Sequence, residues 1–434
     1  MASATPPIGR EATAAAGNGW NLPTDTLVEI LLRLPPTKRW RLRLVCRHWR
    51  DVIRDRTPAP APPTALAFVV SSAEYTAMSA SAFAIDDPAL GRCREVWRSS
   101  NPRPQRRYNE YHRHVYERNF DTAMVGTCNG VLCLCDNKRP GGAISLANPA
   151  TGESLALPPL PCSGHWQEWG TTIRSWHEAY AFAHDPNTWR YTVVHVPSFF
   201  DRNGVFAALN VFTLGGDGSS PPASTTWREV PVAGAAASCR LDAGFVAIDG
   251  TLHWVTEGTE RVVAFDLAAE RVTSTMALPA PEAGRGSRWC LTEVRGRLGA
   301  VDYSAERCWG TPEMTHVWVL DGGGRDDRRR QVWSRRYSVQ VYRVEQWLAA
   351  PQFAFGEHVL TTEAPGGRGV SASVFAHRMP PGRLRIGWKA PGVRVSGISS
   401  GDSRDDSVRI HGVFGYVENK EPLKRFTTIH KLRD

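Results

Sequence analysis

The sequence predicts an α+β multidomain chain: a small N-terminal helical module followed by an all-β, propeller-like domain. Three observations predict it. Between residues 20 and 56, apolar residues recur at helical spacing. Residues 57–64 are dominated by proline, which marks a boundary. From Ala65 onward short apolar runs are broken by Gly, Pro, Asn and Asp, and no long stretch keeps a 3.6-residue period.

The elements follow in chain order. Residues 1–19 read as a disordered tail rich in Ala, Thr, Pro and Gly. A helix is expected from Leu22 to Leu34, because Leu27, Ile30, Leu31 and Leu34 fall on one face. Pro35-Pro36 stops it. A second helix is expected from Arg39 to Arg56, with Leu42, Val45, Trp49, Val52 and Ile53 as its stripe. Two such helices (residues 20–56) cannot hide their apolar faces alone, so a partner surface is the natural complement. The Thr57–Thr64 segment favours polyproline II, a spacer of roughly 20–25 Å at ~3.1 Å per residue.

Residues 65–434 form the β domain. A loose unit of strand, Asn/Asp turn and strand recurs at Asn148-Pro149, Asp185-Pro186 and Asp266-Leu267, and more weakly at Asp321 and Glu418. Divided by the roughly 40–50 residues of a propeller unit, the span predicts about six or seven blades. Asn129-Gly130 and Asp249-Gly250 have the residue types of tight hairpin turns. Trp254 and Trp318 stand at strand positions as blade core.

Composition narrows the function classes. Apolar residues make up 42% of the 434, enough for a large core. No apolar run approaches the ~20 residues of a membrane span, and the N-terminus lacks the pattern of a secretory signal. Nine cysteines, an odd number, are scattered at low density and fit a reducing compartment. Cys128, Cys133 and Cys135 read as buried thiols in a strand, because no matching Cys or His pair follows at zinc spacing. A net charge of +9 admits nucleic acid, acidic lipid or an acidic protein partner.

Segment 92–118 mixes Arg with Tyr108, Tyr111, Tyr116, His112 and His114. Such mixtures can grip single-stranded nucleic acid, although a solvated loop between strands explains the segment as well. Gly397-Ile398-Ser399-Ser400-Gly401 has the hydrolase spacing, but a run of loop residues follows where a helix is required. Gly367–Ala372 opens no helix, so it fails as a dinucleotide loop.

The helical module resembles the F-box. The matching residues are Leu22-Pro23-x-Asp25-x-Leu27-x-Glu29-Ile30-Leu31-x-x-Leu34-Pro35, then Arg41-x-Arg43-x-Val45-Cys46-Arg47-x-Trp49-Arg50-x-x-Ile53. The resemblance implies docking on a Skp-type adaptor and, through it, on a cullin. The implied adaptor-binding residues are Leu22, Pro23, Ile30, Leu34, Pro35, Val45, Cys46 and Trp49, with Trp49 and Ile53 also serving as the module's own core. Arg39 and Trp40 depart from the small or aliphatic pair usual in that family. Arg39 is expected to disturb packing or to extend outward into water.

The remainder resembles plant F-box-associated domains. The residues that carry this are Gly126–Leu134, Asn148-Pro149, Asp185-Pro186, Phe245–Trp254, Phe265–Leu267, Leu291–Leu298 and Val317–Asp321. Together the two resemblances imply the substrate-recognition subunit of an SCF-type ubiquitin ligase. It would be non-catalytic, without metal or cofactor, off the membrane, and placed in the nucleus and/or cytoplasm. Its β domain would bind an unknown protein target. The alternative is a nucleic-acid-binding β protein with a helical docking module.

Overall fold

The computed structural model describes residues 22–34, 39, 42, 45–57, 63–72, 78–99, 122–161, 175–185, 188, 190–197, 206–215, 226–279, 287–304, 313–321, 331–341, 346–363, 373–378, 384–386, 392–396, 398 and 407–423. The chain divides into two compact units, Met1–Ala61 and Pro62–Asp434. The expected tail (1–19) and most of the proline-rich spacer lie outside the described residues. None of the helices among the described residues is long and apolar enough to cross a membrane.

In the first unit, helix α1 spans Thr24–Leu32 and helix α2 spans Arg47–Arg56. Leu27 and Leu31 of α1 bury against Val52 and Ile53 of α2, with Val28, Leu34, Leu42 and Trp49 packed around them. The second helix is shorter than its apolar stripe predicts. Cys46 is extended (φ −161°, ψ 172°) and interrupts any helix running through it. Leu42 and Val45 belong instead to a turn, closed by the Val45 amide donating to the Leu42 carbonyl at 3.2 Å.

The second unit is a six-bladed all-β propeller. Blades 2 to 6 take their strands in chain order, innermost first, except that Leu384–Ile386, which falls within the blade 6 sequence, pairs in parallel at the outer edge of blade 5. Their innermost strands are Thr122–Cys128, Tyr180–Asp185, Val246–Ile248, Ser287–Val294 and, in blade 6, the split pair Gln346–Leu348 and Ala354–Phe355. Blade 1 is assembled from both ends. Thr64–Ser72, Met78–Asp87 and Arg92–Arg98 supply its outer three strands, and Ser407–Tyr416 supplies the innermost. The closing register runs from Thr64↔Tyr416 to Ser72↔Ser407, with a bulge at His411.

Burial explains the uneven texture of the sequence. Each blade packs on its neighbours through both faces, so the middle strands carry continuous apolar runs. Val131–Cys135 and Leu66–Val70 are buried at every position. The outermost strands Glu153–Ala156, Arg228–Pro231 and Arg271–Ala277 are largely polar and partly exposed. Apolar clusters fill the interfaces between successive blades. Leu66, Phe68, Leu132 and Leu134 join blades 1 and 2, and Cys133, Leu146, Phe182 and Val193 join blades 2 and 3. Leu209, Val211, Trp254 and Phe265 join blades 3 and 4. Val255, Val262, Trp289 and Leu298 join blades 4 and 5. A cluster that includes Ala67, Val317, Leu360 and Val413 spans blades 5, 6 and 1.

The turn chemistry matches its residue types. Asn129-Gly130 has φ of 48° and 79°, and Asp249-Gly250 has 47° and 76°. That left-handed pair is the hairpin geometry which Asn-Gly and Asp-Gly favour. A Cβ at residue 130 would stand 2.5 Å from the Val417 carbonyl oxygen, so glycine there also lets the returning chain approach. That chain then clasps blade 2: Asn419 Nδ2 donates to the Asn129 carbonyl at 3.0 Å, and Asn148 Nδ2 donates to the Glu421 carbonyl at 2.8 Å.

Candidate functional site

The helical module leaves several of its candidate residues uncovered. Leu22 is 36% exposed, Ile30 43% and Val45 60%, and Pro23 and Cys46 are exposed as well. Leu34 and Trp49 are half-buried against the core, while Pro35 lies outside the described residues. Sequence reasoning missed Leu32, which is 46% exposed. It sits two residues from Ile30, off the helical stripe, so the period that finds the core cannot find it. Four large apolar side chains are therefore open on a module whose core contains four fully buried ones.

Arg39 behaves otherwise than the sequence suggests. It is buried (7% exposed), its Nε donates to the Leu31 carbonyl at 2.9 Å, and its Nη2 donates to the Leu34 carbonyl at 3.2 Å. The last carbonyls of a helix have no partner within it and carry partial negative charge. A guanidinium satisfies both needs at the C-terminus of α1.

The propeller offers a central channel of ≈ 300 Å³, to whose wall all six blades contribute. On one side His411 Nε2 donates to the Met124 carbonyl at 3.1 Å, and the His411 ring meets that of His177 edge-on at 4.9 Å. His411 is the extra residue of the blade 1 bulge, and that irregularity turns its ring toward blade 2. Burial pushes the His411 pKa down to about 4 and holds His177 well below the usual imidazole range, so both are neutral near pH 7. Across the channel Gln352 Nε2 donates to the Glu293 carboxylate at 2.9 Å, and burial pushes that carboxyl up. Thr292 Oγ1 donates to the Pro351 carbonyl at 2.7 Å, and the Val413 amide to the Ala350 carbonyl at 2.7 Å. These contacts tie blades 5, 6 and 1 around the axis.

The remaining sequence candidates resolve as follows. Cys133 and Cys135 are fully buried and Cys128 is half-buried, with burial pushing its thiol up to about 12. Among the described residues no group of His, Cys, Asp and Glu is placed to hold a metal ion. Trp254 is completely buried, and its Nε1 donates to the Ser238 carbonyl at 3.0 Å. Trp318 is only half-buried, with the Arg335 guanidinium 6.0 Å from its ring centroid. In segment 92–118 the described part is the strand Arg92–Arg98. Arg94 pairs with Asp86 and Glu418 there, and Arg98 with Glu95. Residues 100–118, with Tyr108, Tyr111, Tyr116, His112 and His114, lie outside the described residues, as do Gly367–Ala372 and Ser399.

Comparison with known proteins agrees with this two-part architecture. Residues 20–58 match the F-box domain family, and residues 103–376 match the family described as KIB1-4 beta-propeller. The second match names the domain that the sequence motifs describe only approximately as F-box-associated. F-box protein At3g07870 of Arabidopsis thaliana is 24% identical over 359 residues, covering 76% of each chain. F-box/kelch-repeat protein At4g19930 of the same plant is 25% identical over 340 residues, 73% of this chain and 69% of that one. Among solved structures, the crystal structure of a nidogen/laminin complex aligns with a TM-score of 0.36 at 11% identity, over 81% of this chain and 98% of that one. None of these matches indicates a catalytic family. With six blades closed by the last strand among the described residues and an uncovered helical pair earlier in the chain, the chain belongs to the KIB1-4 beta-propeller family and carries an N-terminal F-box domain.

Proposed function

We propose that this chain is the substrate-recognition subunit of an SCF-type ubiquitin ligase. The helical module docks on a Skp-type adaptor, which connects it to a cullin, and the propeller holds the protein to be degraded. The chain itself performs no catalysis and serves as a receptor. One observation carries the reading: Leu22, Ile30, Leu32 and Val45 stand open on the F-box module. Fully burying a side chain of this kind contributes about 1.5–3 kcal/mol, so a surface that covers all four gains enough to hold the complex. The seven cysteines among the described residues are all free thiols, which supports work in a reducing compartment, the nucleus and/or the cytoplasm.

The test is calorimetry of the full-length protein with a Skp-type adaptor. Micromolar or tighter binding is expected. Val45→Asp and Ile30→Asp should each abolish it and leave the propeller's melting temperature unchanged. A wild-type chain that binds no Skp-type adaptor defeats the reading.

A further inference from the structure

Next to the exposed Val45 and Cys46, the chain carries two exposed arginines that the described residues do not satisfy. Helix α2 buries Val52 and Ile53 on one side, with Trp49 half-buried beside them. At 3.6 residues per turn Arg47, Arg50 and Arg54 fall together on the opposite side. Arg54 is matched by Asp51 at 3.0 Å and Asp55 at 2.7 Å, and Arg56 by Asp25 at 3.0 Å. Arg47 and Arg50 are exposed, and no carboxylate of the described residues meets either. The first turn of α2 contains no acidic residue at all.

The asymmetry is informative. The module supplies counter-charges to the arginines at the far end of α2 and none to those beside Val45 and Cys46, where the apolar surface is open. Like charges at one helix face repel slightly, so the unmatched pair costs the free module a few tenths of a kcal/mol. A surface that brought carboxylates to this border would remove that cost while the apolar side chains are being covered.

We infer that Arg47 and Arg50 are specificity-determining contacts for the adaptor: they meet two carboxylates on its surface, set about 5–6 Å apart like the Arg47 and Arg50 Cβ atoms, beside the groove that takes Val45. The inference rests on the adaptor reading above and adds the partner's chemistry to it. The apolar anchors set how long the complex lasts. The arginines set how fast it forms and which adaptors are accepted, because rim charges act chiefly on association.

The experiment measures association and dissociation rates of the full-length protein with a Skp-type adaptor at about 50 and about 500 mM NaCl, where screening of exposed charges differs strongly. The wild-type association rate should fall about tenfold between the two. The double variant Arg47→Ala/Arg50→Ala should associate about tenfold more slowly at low salt, lose most of its salt dependence, and dissociate at the wild-type rate. Alanine is the better helix former at both positions, so the helix itself is safe, and far-UV circular dichroism checks it. Arg378→Ala, on the propeller and exposed, should match wild type. Charge reversal, Arg47→Glu/Arg50→Glu, should be rescued by an adaptor whose facing carboxylates are changed to lysine. A double alanine variant with wild-type association rate and salt dependence overturns the inference and leaves the adaptor reading standing. A wild-type chain that does not bind at either salt overturns both.

Discussion

The helical module and the propeller solve the burial problem in opposite ways. The module covers Leu27, Leu31, Val52 and Ile53 and leaves Leu22, Ile30, Leu32 and Val45 in water. The propeller, several times larger, exposes Leu90, Val332, Trp347 and Val393 among its large apolar side chains and fills each interface between its blades. The difference follows from surface-to-volume scaling: a unit of two short helices has too little interior to hide its own apolar residues. Incomplete burial is what suits the module to the docking proposed above. Filled interfaces between blades are what hold the propeller together.

The largest break in this contrast comes from opening the ring. A chain ending at residue 406 loses the innermost strand of blade 1, with Val408, Val413, Phe414 and Tyr416. The expected loss is of the order of a whole domain's stability, about 5–15 kcal/mol. It should appear as the disappearance of cooperative unfolding in near-UV circular dichroism, while the F-box module still binds its adaptor. A truncated chain that melts cooperatively at the wild-type temperature would show that five blades and a partial sixth suffice.

Acid separates the two units next. Burial pushes His195 down to about 3, and His253, His377 and His411 to about 4. Their unfolded value is about 6.5, so the unfolded chain binds protons that the native propeller refuses. Stability is complete above pH 6.5 and falls as the pH drops from there toward 4, by up to about 3 kcal/mol per histidine. The module has only the exposed His48 among its described residues. Unfolding followed against pH should therefore show the propeller lost near pH 5, with part of that loss delayed in a variant whose His253 and His411 are replaced by Gln. An acid transition unmoved by those substitutions would place its cause elsewhere.

The smallest effect sharpens the comparison within the module. Arg39→Ala removes two charge-assisted hydrogen bonds to the end of α1, worth about 1.5–3 kcal/mol each where the carbonyls stay dry. In a unit this small that is a large share of the stability, so adaptor affinity should fall several-fold while the propeller's melting temperature does not move. Arg39→Lys, with one donor centre in place of a fork, should recover part of the loss.

These elements differ in how far the sequence reveals them. The core of α1 and α2 is legible because helical period and burial coincide at Leu27, Leu31, Val52 and Ile53. The turns at Asn129-Gly130 and Asp249-Gly250 are legible because their backbone angles admit few residue types. The blade count was blurred for a reason visible in the strands. Asn148, Asp266 and Asp321 each end the third strand of a blade, whereas Asp185 ends a first strand, and Glu418 follows one. Two different turns share one signature, so the apparent intervals mix two registers. The cap formed by Arg39 is illegible because a long side chain's target depends on where two backbone carbonyls arrive in space. The pairing of Thr64–Ser72 with Ser407–Tyr416 joins opposite ends of the domain and leaves no local pattern to read.

That closing pair also has a consequence in time. At synthesis rates of roughly 5–20 residues per second, the Thr64–Ser72 strand waits roughly 20–70 s for its partner to be made. Blades 2 to 4 can form as their own strands emerge and blade 5 gains its outer strand Leu384–Ile386 later, but blade 1 stays one strand short until most of the chain has left the ribosome. The F-box helices are complete long before. During every round of translation there is thus an interval in which the F-box helices are complete and the propeller is still open. A chaperone that shields the open strand during that interval would decide how many chains finish with a closed ring and how many stall with their first blade incomplete.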